Sequence, residues 1–480
     1  MQSKCVQMSL SDIYHNVEDC LEQDKPQLFK LLDQHLDWNE IIPISFHLAF
    51  RRRLGRNRKY GLESFLRALF LQRVFHYVDD AQLLSTLRFC REMREFCGFS
   101  QVPDASKITR FKQDFCNHIR SVFDRLVDLT EPICREMDAA LADLLLYDTT
   151  GVESYVSENN PKYRSKLEAQ AKAISQIDPS FDPSLGAHAL LPKAAASNPE
   201  VKLQYINGHF CYAQKAVVLA NGLGIVRHLE FLDADFKKRH PEMPIEKRTN
   251  SPHLDKEIGD STTLKPVLLD FRAAHPQLSY GTFVGDTAFD SYDNFRFLLK
   301  EYHFNKAVIP LNPRNSHNST SNSFSENGTP LCPHDQTPLR LQGKCAGKNR
   351  SLRLKYICPK TNVLRLPSGG VTRRCFCESP CTDSPYGKCV YVYPDKNLRL
   401  YPGIARDSEA FSKIYACRTA VERSIQSLKD TLCLQNRKTS NVLTTKADLF
   451  LGGIVQLLCV LLADKLHDAS LARRPRKLIA

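Results

Sequence analysis

The sequence is short of the features that mark membrane, secreted and acid-rich proteins. Its N-terminus, MQSKCVQMSLSDIYHNVEDC, has no apolar core of the kind a signal peptide requires. The extended apolar run, LFLGGIVQLLCVLLA (449–463), is interrupted by Gln456 and falls short of the roughly twenty residues that a helical bilayer crossing needs. That run is expected to be a buried core helix, and no membrane partner is expected. A disulfide framework is missing too. The 17 cysteines are odd in number, and several, such as Cys90, Cys116 and Cys459, sit in apolar helical contexts. Such usage suits a reducing cytoplasm and a soluble chain. Acid is in deficit, with 53 Asp and Glu against 66 Lys and Arg and a net charge of +13. A basic balance favours polyanionic partners, nucleic acid before a small acidic substrate, although charge alone also fits a merely soluble basic protein.

What is there divides along the chain. At 480 residues there is room for roughly two to four domains. Residues 1–135 read as a helical domain, with apolar residues recurring at three and four (Leu62, Phe65, Leu66, Leu69, Phe70; then Leu83, Leu84, Leu87). Two basic stretches fall within it. RRRLGRNRK (51–59) opens with Arg51, Arg52 and Arg53, and PDASKITRFKQDF (103–115) starts like a capped helix and carries Lys107, Arg110 and Lys112. Either a DNA-binding face or a solvated basic face of a bundle accounts for them.

From about residue 140 the pattern becomes stranded. LADLLLYD is an apolar run ending in a carboxylate; CYAQKAVVLA and IVRHLEFLD flank the turn-forming NGLG; TFVGD is a second apolar run ending in an acid; HFNKAVIPL (303–311) is a further strand. A polar stretch over roughly 157–200 reads as an inserted loop with a short helix. Residues 140–312 and 406–466 therefore form one α/β core, interrupted at 313–405 and followed by a basic tail, 467–480. The interruption opens on the low-complexity NPRNSHNSTSNSFSENGTP and continues as a cysteine-rich block with ten Lys or Arg and no Asp or Glu over residues 337–377. Its cysteines Cys332, Cys358, Cys375, Cys377 and Cys381, with Cys345 and Cys389 as spares, lack the usual pair of Cys-x2-Cys knuckles. They suit either a structural zinc site or free thiols in a reducing cell.

The most informative spacing is Tyr-x2-Arg-x3-Glu-x6-Lys in YACRTAVERSIQSLK: Tyr415, Arg418, Glu422 and Lys429. At 100° per residue these four side chains fall within an arc of about 60°. Ile414, Val421, Leu428 and Leu432 gather roughly a quarter turn away, a stripe to bury. An acid flanked by cations in this way is how a metal-dependent, DNA-cutting site is built.

The same spacing resembles the signature around the last catalytic acid of DDE transposases from bacterial insertion sequences, a branch of the RNase H-like nucleases. LLLYDTTG (144–151) is similar to the strand carrying that family's first aspartate, here Asp148. YGTFVGDTAFDS (280–291) is similar to the strand carrying the second, here Asp286, and 207–236 is similar to the two strands that follow the first. The resemblance implies an RNase H-like mixed sheet flanked by helices, with Asp148, Asp286 and Glu422 as catalytic metal ligands. Tyr415, Arg418 and Lys429 would hold the transposon end, and the helical N-terminal domain would recognise terminal inverted repeats. The implied assembly is a homodimer on double-stranded DNA.

The chemistry fits those residue types. Two divalent ions about 3.5–4 Å apart can activate the attacking oxygen and neutralise the departing one. Mg²⁺, for which Mn²⁺ can substitute, takes few carboxylates plus substrate phosphates. Arg grips a phosphate through two parallel hydrogen bonds, while Lys acts as a point charge. Each residue also has an ordinary reading. An Asp closing a strand serves as a turn or cap, Glu422 pairs with Arg418 at i−4, and Glu153, Asp235 and Asp290 are neighbouring acids that could substitute. The expected activity is cleavage at the element's ends and joining of the 3′-hydroxyls to target DNA. Rivals are an RNase H-like endonuclease without strand transfer, a non-enzymatic DNA-binding derivative, and a nucleic-acid adaptor built on the cysteine block.

Overall fold

The computed structural model describes residues 9–11, 14, 27–51, 57–178, 180–183, 186–187, 190–206, 209–243, 259–312, 324–325, 327–347, 350–396 and 398–479. The chain forms two compact units, one of residues 1–133, 154–156 and 427–480, the other of 134–153 and 157–426.

The first unit is helical over its described residues. Its helices include Gln27–His35, Leu62–Val74, Asp80–Phe89, Ala105–Asp114 and Val442–Lys465, together with the N-terminal part of Cys116–Met137. The periodic apolar positions expected from the sequence are buried, among them Leu62, Leu69, Leu83 and Leu87. Phe46, Phe50, Phe65, Phe111 and Phe115 form one aromatic cluster, with Phe65 and Phe111 stacked at 4.7 Å. The helix Val442–Lys465 is long and apolar enough to cross a membrane, but 89% of its most apolar window is buried inside the chain, as a core helix requires.

A charged network lies inside this unit. Asp448, fully buried, takes Arg73 at 2.7 Å, Lys112 at 3.0 Å and Arg437 at 3.1 Å. Asp80 also takes Lys112 at 3.0 Å and Arg437 at 2.9 Å. Burial pushes the Asp448 carboxyl upward, but Arg437, Lys112 and Arg73 outweigh it and hold the pKa below the usual carboxylate value. Lys112 is thus a core residue rather than part of an exposed basic face. Within the basic tail, 471–473 and 475–479 are short turns of tight helix, with Leu471 and Ala472 buried.

The second unit is built on a mixed sheet whose strands, in chain order, are β1 (Leu144–Glu153), β2 (Ala194–Ala195), β3 (Asn198–Ile206), β4 (His209–Asn221), β5 (Val226–Phe231), β6 (Thr282–Val284) and β7 (Lys306–Val308). β1 is central. It runs antiparallel to β4 and parallel to β6, which is in turn parallel to β7. The other edge of β4 is shared by β3 along its first half and β5 along its second. The expectation that a strand ends at Asp148 needs correcting: β1 continues to Glu153, because Thr149 to Glu153 keep their ladder partners Val217 to Ala213.

Alternation along β1 sends successive side chains to opposite faces. Leu145 and Tyr147 join Val217, Leu219, Leu264, Leu268 and Phe271 in the core under the helix Asp260–Ala274. The Tyr147 hydroxyl lies 2.7 Å from Thr263 Oγ1. Asp148 consequently faces the other way. The polar stretch at 157–200 holds a helix, Pro161–Ile177, longer than expected.

Residues 324–405 add two small sheets: β8 (Arg340–Gly347), β9 (Arg350–Ile357) and β12 (Cys389–Val392) in one, and β10 (Thr361–Arg365) with β11 (Val371–Cys375) as a hairpin. A separate core of Cys332, Leu339, Leu354, Tyr356, Val392 and Tyr401 holds them. The chain returns to the main sheet through Pro402, whose carbonyl accepts from the Ala307 amide at 2.9 Å.

Candidate active site

Each acid that the spacing singled out is set by its local backbone. Asp148 sits mid-strand in β1, and its Oδ1 accepts from the Thr149 amide at 2.8 Å. Asp286 follows β6 by two residues and caps the tight turn Thr287–Phe289, its Oδ1 accepting from the Thr287 amide at 2.6 Å. One oxygen of each aspartate thus serves its own backbone and leaves the other for a second partner. Glu422 lies in the first turn of the helix Thr419–Gln426, which buries Ala420, Val421 and Ser424.

That helix is seated by the β4–β5 turn. Gly224 has φ +77°, a conformation side chains other than glycine disfavour, and a Cβ there would lie 3.3 Å from the Ala420 carbonyl. Ser424 Oγ donates to the Gly224 carbonyl at 2.6 Å. The NGLG segment thus closes a hairpin and also docks the helix that carries Glu422. Ser424 was not singled out from the sequence; the hydrophobic period marks it only as one more buried helix position.

The three carboxylates converge on one guanidinium. Arg418 Nη1 donates to Glu422 Oε1 at 2.7 Å, while Nη2 lies 3.9 Å from Asp148 Oδ2 and 3.8 Å from Asp286 Oδ2. These are the outer oxygens, the ones not bound by Thr149 or Thr287. Although burial opposes it, Asp148, Asp286 and Glu422 raise the Arg418 pKa. Burial pushes the Asp148 carboxyl up to about 6, with Glu422 and Asp286 adding to the rise and the Thr149 amide and Arg418 opposing it. Burial also raises the Tyr415 phenol; Arg418 opposes that rise and the three carboxylates add to it, so the phenol lies within the field of the same group. Its ring stacks on Phe411 at 6.3 Å.

Other residues are placed differently from expectation. Tyr415, Arg418, Glu422 and Lys429 do not share one uninterrupted α-helix. The helix Glu409–Ala416 ends, the chain passes through i→i−3 bonds from Cys417, Arg418, Ala420 and Val421, and a new helix starts at Thr419. Lys429 then falls on a wide five-residue turn, Ser427–Thr431, in the first unit, and is buried. The uniform 100° step assumed from the sequence is lost at both junctions. Asp290 is fully buried, is gripped by Arg399 at 3.0 and 2.6 Å and accepts from the Asn312 amide at 2.7 Å, a structural role. Glu153 pairs with His209 at 3.1 Å at the far end of β1, and with Cys211 these form a small group of metal-binding atoms apart from Asp148. Arg51, Lys107 and Arg110 are exposed, whereas Arg52 and Arg53 lie outside the described residues. Cys332 faces Cys381, and Cys358 faces Cys375.

The donor set suits a hard divalent cation. It consists of carboxylate oxygens from three separate segments with no thiol or imidazole among them. Three carboxylates against one guanidinium leave a net negative charge that added cations would neutralise.

These features define a mixed α/β protein with a triad of convergent carboxylates on one face of its central sheet. Comparison with known proteins adds a domain assignment. Residues 16–114 match the family model described as Transposase domain (DUF772). No curated protein matches the chain. A solved structure, described as the piggyBac transposase synaptic complex with hairpin DNA, aligns at a TM-score of 0.37 and 12% identity, covering 94% of this chain and 78% of that one.

Proposed function

We propose that this protein is a DDE transposase of the bacterial insertion-sequence type. It would bind terminal inverted repeats, hydrolyse DNA at the element's ends and join the freed 3′-hydroxyls to target DNA. The observation that carries this reading is the convergence of Asp148, Asp286 and Glu422 on Arg418. The transposase domain at residues 16–114 supports it independently. So does the sheet, in which β1, which carries Asp148, is adjacent and parallel to β6, which leads into Asp286, consistent with an RNase H-like core.

In this reading Asp148, Asp286 and Glu422 would hold two Mg²⁺ ions, with Mn²⁺ able to substitute, and these would supply activation of the attacking oxygen and neutralisation of charge on the leaving one. Arg418 orients a phosphate by paired donors, exchanging its carboxylate contacts for the substrate's. Tyr415, half-buried beside it, donates to a phosphate oxygen or stacks on a displaced base. Arg51, Lys107 and Arg110 of the N-terminal domain contact the repeat, and two copies hold both ends as a homodimer. Lys429, buried as it is, is left out of the phosphate-binding set. The activity belongs to a reducing bacterial cytoplasm.

The test is a cleavage and joining assay on duplexes carrying the element's own ends, with wild type, Asp148→Asn, Asp286→Asn and Glu422→Gln. Metal-dependent nicking lost in all three variants, with DNA binding retained, is expected. Undiminished nicking by the variants would remove the assignment. Pre-cut ends that are not joined would favour a nuclease without strand transfer.

A further inference from the structure

The cysteines of residues 324–405 meet in a pattern that no role in DNA cleavage explains. Cys332 Sγ lies 3.7 Å from Cys381 Sγ, and Cys375 Sγ lies 3.7 Å from Cys358 Sγ. A disulfide would need about 2.05 Å. The edge of a tetrahedron with zinc–sulfur bonds of about 2.3 Å is ~3.8 Å. Each pair therefore stands at the separation of two thiolates on one zinc ion, although among the described residues no three of the four sulfurs lie within 4.8 Å of one another, so the pairs draw together when the ion binds. All four thiols line one cavity of about 330 Å³. We propose that Cys332, Cys358, Cys375 and Cys381 bind a single structural Zn²⁺, each pair supplying half of the tetrahedron and the two pairs closing on the ion from either side of that cavity.

Three further observations fit this site. The Lys360 amide, two residues beyond Cys358, donates to the Cys358 sulfur, as suits a thiolate ligand that must be stabilised. Gly387, at φ +74°, passes so close to Cys375 that a Cβ would lie 2.9 Å from its Sγ, so glycine there leaves the sulfur its place. Lys360, Lys388 and Arg374 line the cavity together with Asp335 and Asp383, Lys360 being paired with Asp335 at 3.0 Å, so the lining carries one net positive charge towards a tetrathiolate zinc. The ligands also lie where a staple is most useful. Cys332 follows a short bridge, Cys358 directly follows β9, Cys375 ends β11 and Cys381 sits in the loop beyond. One ion would tie both small sheets together across a core of few buried residues. Cys377, whose Sγ donates to the Ser379 carbonyl at 3.3 Å, is not needed as a ligand.

The experiment is metal analysis of the full-length protein purified without chelator, followed by replacement of zinc with Co²⁺. About one zinc per chain is expected, and Co²⁺ should give the intense visible bands and sulfur charge transfer of a tetrahedral tetrathiolate. C332S, C358S, C375S and C381S should each lower the zinc content at least severalfold, whereas C345S and C389S, whose thiols do not line the cavity, should leave it unchanged. Should a cysteine variant fail to fold, the wild-type zinc content and cobalt spectrum decide alone. Zinc-free wild type with a featureless cobalt spectrum would overturn the proposal. So would zinc retained in the quadruple variant, or mass-spectrometric evidence that either pair is a disulfide in the reduced preparation.

Discussion

Asp148→Asn should stabilise the second unit in the absence of divalent ions while abolishing cleavage. Burial, with Glu422 and Asp286 adding, raises the Asp148 carboxyl from 3.8 to about 6. A rise of about two units corresponds to ~3 kcal/mol against the ionised form at neutral pH. The side chain is 21% exposed, so solvent trims this to about 2–3 kcal/mol. For a unit of this size that is a rise in Tm of roughly 5–10 °C. The sign follows from proton binding. The folded state holds this proton more tightly than the unfolded one, so wild type suffers no penalty below the unfolded value, loses stability as pH rises through the folded value near 6, and bears the full penalty above it. Calorimetric melting in chelator should therefore show a wide gap between Asp148→Asn and wild type at about pH 7.5 that closes towards about pH 4. An equal or lower Tm for the variant at the higher pH, or a gap independent of pH, would refute the reasoning.

Two other perturbations have defined outcomes. Asp448→Asn leaves Arg73, Lys112 and Arg437 without their shared buried carboxylate; denaturant titration should show a loss of about 3–5 kcal/mol in the helical unit. Gly224→Ala forces a Cβ into the left-handed region and towards the Ala420 carbonyl. It should cost about 1–2 kcal/mol, displace the helix carrying Glu422 and lower the cleavage rate about tenfold or more with little change in DNA affinity; an unchanged rate would mean that the turn does not position Glu422.

The sequence was most informative where chemistry and local geometry coincide. Asp148, Asp286 and Glu422 come together on Arg418, and β1 and β6 are recognisable because each apolar run leads to an acid. Arg418 as the hub of the three acids was not legible, since i,i+4 spacing explains only its contact with Glu422. The break after Ala416 and the wide turn from Ser427 carry neither proline nor glycine, so a helical period read through them misplaced Lys429. Lys112 looked like part of a basic face because its partner Asp448 lies in a helix more than three hundred residues away. Asp290 resembled a spare catalytic acid until Arg399, on the far side of the cysteine-rich segment, was seen to hold it.

The central claim is that three carboxylates from distant segments form one cation site, and direct counting of bound Mn²⁺ tests it. Electron paramagnetic resonance titration of the zinc-loaded protein should find about two tightly held Mn²⁺ per chain, reduced in each of Asp148→Asn, Asp286→Asn and Glu422→Gln and absent when the three are combined. Mn²⁺ binding that survives in the triple variant, or that is absent from wild type in the presence of end DNA, would contradict the account.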